Sequence, residues 1–196
     1  MNQYLLNKSY EKYRWFFTSS KTLVVGGKSD KQNELVIREF LKPNYTVMHT
    51  NSPGSPFCII LSDKPTKKDL NETAVFCASF SQDWKKGKKE ILVDIFKGNQ
   101  IYKNKMMKTG TFGVKGKIKN ILVKPELAIV IQKGKIRAVP RETKEEVIAY
   151  IKQGKLSKEE ATNKILSIIK DKYQLAISKD EIMQAIPSNN LSVKEV

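Results

Sequence analysis

Between Lys85 and Arg137, fifteen lysines and arginines stand against three carboxylates, Glu90, Asp94 and Glu126, so this stretch carries +12 of the chain's net +16. Charge at that density leaves two options, a solvated tail or the outer face of a folded element. The apolar positions decide between them. Over 111–124, Phe112, Val114, Ile118 and Leu122 read as one side of a strand and Lys115, Lys117 and Lys119 as the other, because strand side chains alternate. A disordered arm has no apolar half. The pattern predicts a half-buried strand with a lysine row toward solvent. Its natural partner is a polyanion whose condensed counterions the lysines displace.

The remaining composition suits one substantial core: 196 residues, 40% of them hydrophobic, with a sequence pI of about 9.7. No apolar run approaches the roughly 20 residues of a membrane span. Residues 1–12 lack the apolar centre of a signal peptide, so a cytoplasmic protein without a membrane partner is expected. Cys58 and Cys77 lie in apolar surroundings and read as buried thiols. With His49 the single histidine, no metal-ligand spacing arises, and no metal or other cofactor is expected.

Residues 10–17 and 22–25 read as short strands around Thr18-Ser-Ser20. Ser29-Asp-Lys-Gln32 has the form of a capping box opening a helix to about Leu41, with Leu35, Val36 and Phe40 inward. Residues 45–49 and 57–61 are strands on either side of the turn-rich 51–56. Thr66-Lys-Lys-Asp69 opens a longer helix with Leu70, Ala74, Cys77, Ser81 and Trp84 on one stripe, ended by Gly87. Residues 91–96 form another strand, 99–108 a basic connection, and 127–131 an apolar central strand returned by 133–135 through 136–139.

After Pro140 the composition changes. Thr143-Lys-Glu-Glu146, Ser157-Lys-Glu-Glu160 and Ser178-Lys-Asp-Glu181 are three hydroxyl-x-x-acid helix starts, with Gly154 closing the first helix and Pro187 beyond the third. Ala161, Ile165 and Ile168 form an inward stripe on the second. The fold class is therefore α+β: a domain over 1–140 on a mixed, largely antiparallel sheet with two packed helices, a small helical appendage over 141–187, and a frayed tail over 188–196. The appendage offers a surface for a protein partner.

A set of short motifs runs through the first part of the chain: Tyr13-Arg-Trp-Phe16, Thr18-Ser-Ser20, Leu23-Val-Val-Gly-Gly27, Gln32-Asn-Glu34, Val47-Met-His49, Gly54-Ser55, Trp84, Gln100-Ile-Tyr-Lys103 and Gly110-Thr-Phe-Gly-Val-Lys-Gly-Lys117. In this order and spacing, over roughly 10–120, the chain resembles the NFACT-R family (DUF814), the RNA-binding module of NEMF and RqcH-type ribosome quality-control factors. No single piece is specific; the ordered set is. The resemblance implies binding of structured RNA, tRNA or ribosomal RNA, in or near translation quality control, with the large ribosomal subunit a candidate partner. It also implies a stand-alone module, since the family's multidomain factors add an enzyme-like module and a coiled coil. Two departures stand out. The loop after His49 is Thr50-Asn-Ser-Pro-Gly54, without the acid and second histidine common in the family. Asn104-Lys-Met-Met-Lys108 replaces an acidic Pro-x-Gly-Glu segment. Roles of the lost groups do not carry over.

The RNA contacts expected from charge and motif are Lys103, Lys105, Lys108, Lys115, Lys117 and Lys119 on phosphates, with Arg14, Lys28 and His49 secondary, and Gly110, Gly113 and Gly116 shaping the backbone approach. Each has a plainer reading beside it. The lysine row is otherwise a solvated face, the glycines a bulge, and His49 a hydrogen-bonded structural histidine. Tyr10, Tyr13, Trp15 and Phe16 serve either as stacking platforms or as core. No residue is assigned a catalytic role. General DNA or polyanion binding, and a metal-dependent nuclease built on Glu90 and Asp94, are the readings from other classes.

Overall fold

The computed structural model describes residues 8–173 and 176–196, so the first seven residues of the expected 1–140 domain lie outside the described part. Three sheets organise it, every described strand pair being antiparallel. The largest has six strands: β1 (Arg14–Phe17), β2 (Leu23–Gly26), β3 (Thr46–Thr50), β4 (Cys58–Ile60), β5 (Ile91–Lys97) and β8 (Lys119–Val123), in the order β1-β2-β4-β3-β5-β8. A small ribbon pairs β6 (Ile101–Tyr102) with β7 (Gly113–Val114). The third sheet runs β10-β9-β11-β12, from β9 (Leu127–Gln132), β10 (Lys135–Pro140), β11 (Ala149–Leu156) and β12 (Leu191–Glu195). The helices are α1 (Asp30–Phe40), α2 (Lys67–Ser79), the short α3 (Gln82–Lys85), α4 (Lys158–Tyr173) and α5 (Lys179–Ala185). The chain is α+β, as its patterning predicts, and none of its described helices is long and apolar enough to cross a membrane.

The six-stranded sheet is covered on both faces, so its strands read as unbroken apolar runs. Trp15, Val25, Val47 and Ile59 pack with Val36 and Phe40 of α1 on one side. Phe16, Val24, Met48 and Ile60 pack with Ala74 and Phe76 of α2 on the other, in a core that continues into Leu127, Ile129, Ile151 and the α4 residues Ile165 and Ile169. Helix α2 lies between two sheets, which is why so much of it is buried. Its start carries a complete capping box between Thr66 and Asp69. The side-chain amide of Gln132 joins the sheets by accepting from the Phe17 N–H (2.8 Å) and donating to the Phe17 carbonyl (2.8 Å).

Several expectations are corrected. Residues 111–124 are not one strand. The backbone is extended at β7, turns at Gly116 (φ +76°), and resumes as β8 in a different sheet, leaving Ile118 and Leu122 exposed. Leu35 sits at the margin of α1's apolar face and is exposed. Ser81 caps a separate helix α3, so Trp84 is buried from there and not from a continuous helix reaching Gly87. Thr143 caps no helix: it is buried, and its hydroxyl donates to Glu72 (3.1 Å). Residues 149–156 form strand β11, whose Ala149 and Ile151 enter the core at period two. The expected frayed tail is β12, paired with β11 through buried Leu191 and Val193. The third sheet thus draws strands from both sides of Pro140, and the segment after it is strand as well as helix.

Candidate nucleic-acid interface

The expected lysines occupy the ribbon β6–β7, its connecting loop and the start of β8. Gln100 shapes this stretch. Its carbonyl accepts from the Lys115 N–H (2.8 Å), while its side-chain amide donates to the carbonyls of Lys115 (2.8 Å) and Lys117 (3.0 Å). Three hydrogen bonds from one residue hold the turn at Gly116 open, so the lysine backbone is fixed although its side chains are not. Lys105, Lys108, Lys115, Lys117 and Lys119 are exposed, and none has a carboxylate partner among the described residues.

Lys103 behaves differently. Its ammonium pairs with Glu34, donates to the carbonyls of Lys108 (3.0 Å) and Thr111 (3.2 Å), and lies 4.8 Å from the Phe112 ring centroid. Glu34 also accepts from the Gly110 N–H (2.9 Å). Lys103 is thus a strut tying the basic loop to α1, with most of its hydrogen-bonding capacity used internally.

The glycines are explained by protein contacts. A side chain on Gly110, at φ +77°, would collide with the Asp30 backbone. A Cβ on Gly113 would lie 2.1 Å from the Tyr102 ring, so the ring crosses β7 only because that position is bare. Tyr102 is 38% exposed, with the Lys115 ammonium 4.9 Å from its ring centroid. The aromatic group available for stacking on a base is therefore Tyr102. Tyr10, Tyr13, Trp15 and Phe16 are all core. The sequence signal for Tyr102 is its place beside the lysines in Gln100-Ile-Tyr-Lys103; what hid it is that its partner glycine lies eleven residues on.

His49 lines a second feature, a cavity of about 410 Å³ floored by Phe57, Phe96 and Phe112 and bordered by Ile118 at the foot of the lysine row. Its Nδ1 faces the Thr50 carbonyl (2.7 Å), its ring stacks on Phe57 (4.5 Å between centroids), and Asp94 is its cross-strand partner. Burial holds its pKa below the ordinary histidine value, against the opposing pull of the Thr50 hydrogen bond and the Asp94 charge. At neutral pH the ring is uncharged. With Nδ1–H donating to Thr50, Nε2 is an acceptor, suited to a base edge or a 2′-hydroxyl and not to a phosphate. Arg14 and Lys28 lie apart from the ribbon. A row of paired residues crosses the sheet from Arg14 through Gly26, Cys58, Met48 and Ile95 to Lys119. Five interstrand steps of about 4.8 Å put its two ends about 24 Å apart.

Most of the remaining motif residues lock loops together. Asn33 donates to the Ser55 carbonyl (3.3 Å) and accepts from the Phe57 N–H (3.0 Å). Thr18 and Ser19 donate to Asp69 and Glu72 of α2. The residues considered for a nuclease are separated by their partners, Glu90 to Lys124 (3.5 Å) and Asp94 to Asn51 (3.3 Å). Among the described residues, no three His, Cys, Asp or Glu side chains come together as a metal site.

Residues 12–116 match the family described as the NFACT protein RNA binding domain. The archaeal Rqc2 homologue aRqcH of Methanocaldococcus jannaschii is 24% identical over 200 residues, covering 95% of this chain and 29% of that protein. The ribosome quality control complex subunit NEMF of Mus musculus is 29% identical over 80 residues, covering 38% of this chain and 7% of its own length. Its Drosophila melanogaster homologue is 31% identical over 78 residues, 38% and 8% of the two chains. The chain thus spans less than a third of each of these relatives. Among solved structures, the C-terminal part of the fibronectin/fibrinogen-binding protein from Streptococcus suis superposes with a TM-score of 0.52 at 24% identity, over 58% of this chain and 45% of that one, a likeness of fold. With more than half its length inside the matched domain, this chain belongs to the NFACT RNA-binding domain family.

Proposed function

We propose that the protein is a binding module for structured RNA, tRNA or ribosomal RNA, acting in ribosome-associated quality control, and that the β6–β8 ribbon is its main contact surface. The observation that carries this is the company kept by Tyr102: an exposed ring among five exposed lysines without acid partners, on a backbone that Gln100 and Lys103 hold in place. Such a surface positions a phosphate backbone and stacks an unpaired base without reading sequence, which suits recognition by shape. Lys105, Lys108, Lys115, Lys117 and Lys119 supply the phosphate contacts. His49, neutral in its cavity, supplies a hydrogen-bond acceptor beside them, and Lys103 supplies the loop's geometry. Membership of a family described as RNA-binding supports the reading.

The test is tRNA affinity across a salt series for the wild type and for Lys115→Ala/Lys117→Ala/Lys119→Ala. Each lost phosphate contact flattens log K against log salt by up to roughly 0.9 on a duplex and 0.7 on a single strand. An unchanged slope in a folded triple variant overturns the placement on this ribbon. A DNA duplex of matched length, competing equally at every salt, would instead make the protein a general polyanion binder, since only RNA offers the 2′-hydroxyl and A-form geometry.

A further inference from the structure

At the opposite edge of the six-stranded sheet from the lysine ribbon lies a cavity of about 250 Å³. Arg14, Lys28, Lys85 and Lys158 line it, against one carboxylate, Asp30. The cations come from four parts of the chain: β1, the β2–α1 connection, α3 and the first residue of α4. None of the four side chains has a hydrogen-bonded or ion-paired acid among the described residues. Arg14 is the deepest. It stacks 4.2 Å from the Phe80 ring centroid, above Cys58 and Gly26 in the sheet, and its charged end has no partner except the cavity. Two helix starts border the same space, with Asp30 the first residue of α1 and Lys158 the first of α4. Their dipoles add positive potential to it.

Folding would not gather like charges around a void without a reason, since each repels the others and loses water. The strain is visible in their acidity. The Arg14 guanidinium is pushed down to about 10, chiefly by burial. Lys28 is lowered by burial and then by Arg14 and Arg137, and Lys158 by burial and then by Arg14 and Lys85. An anion seated among them relieves both burdens. The cavity lies just under the roughly 300–1,000 Å³ of drug-sized sites, which favours a single phosphorylated unit over a longer stretch.

We infer that this cavity is a phosphate-binding site, separate from the lysine ribbon, that holds one phosphate of the bound RNA between Arg14 and the C-terminal segment's Lys158. The inference rests on the RNA-binding reading above. It adds a second anchor about 24 Å from the first, and it gives residues outside the matched domain a part in binding.

The test uses the full chain and a Lys85→Ala/Lys158→Ala variant, with the ribbon triple variant alongside, each titrated across salt with a single-stranded RNA bearing either a 5′-phosphate or a 5′-hydroxyl. Neither lysine supports the fold through an acid partner, so the double variant is expected to melt at or above the wild-type temperature. Its salt slope is expected to flatten by up to roughly 1.4 for two lost contacts on a single strand, on top of the ribbon's effect. Loss confined to the 5′-phosphorylated RNA assigns a terminal phosphate; equal loss on both RNAs assigns an internal phosphodiester. If the ribbon variant weakens binding and the cavity variant does not, the cavity inference fails alone. If the wild type binds neither RNA, the RNA reading fails and takes the inference with it. Arg14→Gln checks the deepest group: it should reproduce the double variant's loss, and wild-type binding by a folded Arg14→Gln protein would overturn the assignment.

Discussion

The lysines of β6–β8 and the cations around Arg14 sit at the two edges of one sheet and hold their charge in different ways. Along the ribbon the backbone is fixed and the ammonium groups are in water, so charge is kept at almost no cost and works over distance by counterion release. Around Arg14 the side chains are gathered by packing and partly stripped of water, so charge is kept against a penalty and works only at contact. The first arrangement suits capture of any phosphate backbone, the second the seating of one particular group. Lys103 shows that proximity in sequence does not decide which role a lysine takes. It lies among the ribbon lysines yet is spent on Glu34 and two carbonyls.

The comparison can be broken most sharply through two glycines. At Gly27, on the cavity wall, an added Cβ would lie 2.7 Å from the Asn33 backbone nitrogen, with no flexible group to yield. Gly27→Ala is expected to destabilise by about 3 kcal/mol, the upper end for overpacking. At Gly116, on the ribbon, the nearest atom is 3.6 Å away and only the left-handed φ of +76° opposes a side chain. Gly116→Ala is expected to lose about 1 kcal/mol. Urea denaturation of both variants measures the difference, and equal losses would mean that the cavity wall is no more rigid than the ribbon.

A smaller effect belongs to Tyr102. If its exposed ring stacks on an unpaired base, Tyr102→Ala should weaken binding of single-stranded or looped RNA by roughly 1–3 kcal/mol while leaving a fully paired duplex nearly untouched. Equal losses on both would assign Tyr102 to shaping the ribbon instead.

The smallest expected effect is at His49. Its folded pKa lies below its unfolded value, so folding favours the neutral ring. The resulting stability is present above about pH 6.5, the unfolded value, and is lost as pH falls through the folded one. The stability difference between wild type and His49→Gln should therefore shrink as pH is lowered from 7 to 5. A difference flat across that range would remove burial as the dominant influence on this ring.

Much of the fold was legible in local pattern. Ser29 and Thr66 cap the helices their spacing announces, the apolar run at 127–131 is an interior strand, and Ala161, Ile165 and Ile168 face inward. The errors share a cause. Thr143-Lys-Glu-Glu146 has the local chemistry of a helix start, but Thr143 is taken up by Glu72, seventy-one residues earlier, and the following residues complete a sheet. Residues 111–124 alternate as one strand does, but alternation is silent about which sheet each half joins, and Gln100 with Gly116 divides them.

Composition and spacing alone determined that a folded basic face exists, that it lies in the middle of the chain, and which family's motifs surround it, because charge density and period-two patterning are local properties of sequence. Tertiary structure alone decided which cations remain free. Whether a lysine keeps its charge for a ligand depends on the carboxylate that long-range packing brings to it: Glu34 reaches Lys103 from sixty-nine residues away. No described acid pairs with Arg14, Lys28, Lys85 or Lys158, which meet around one cavity only once the sheet, α1 and α4 are in place.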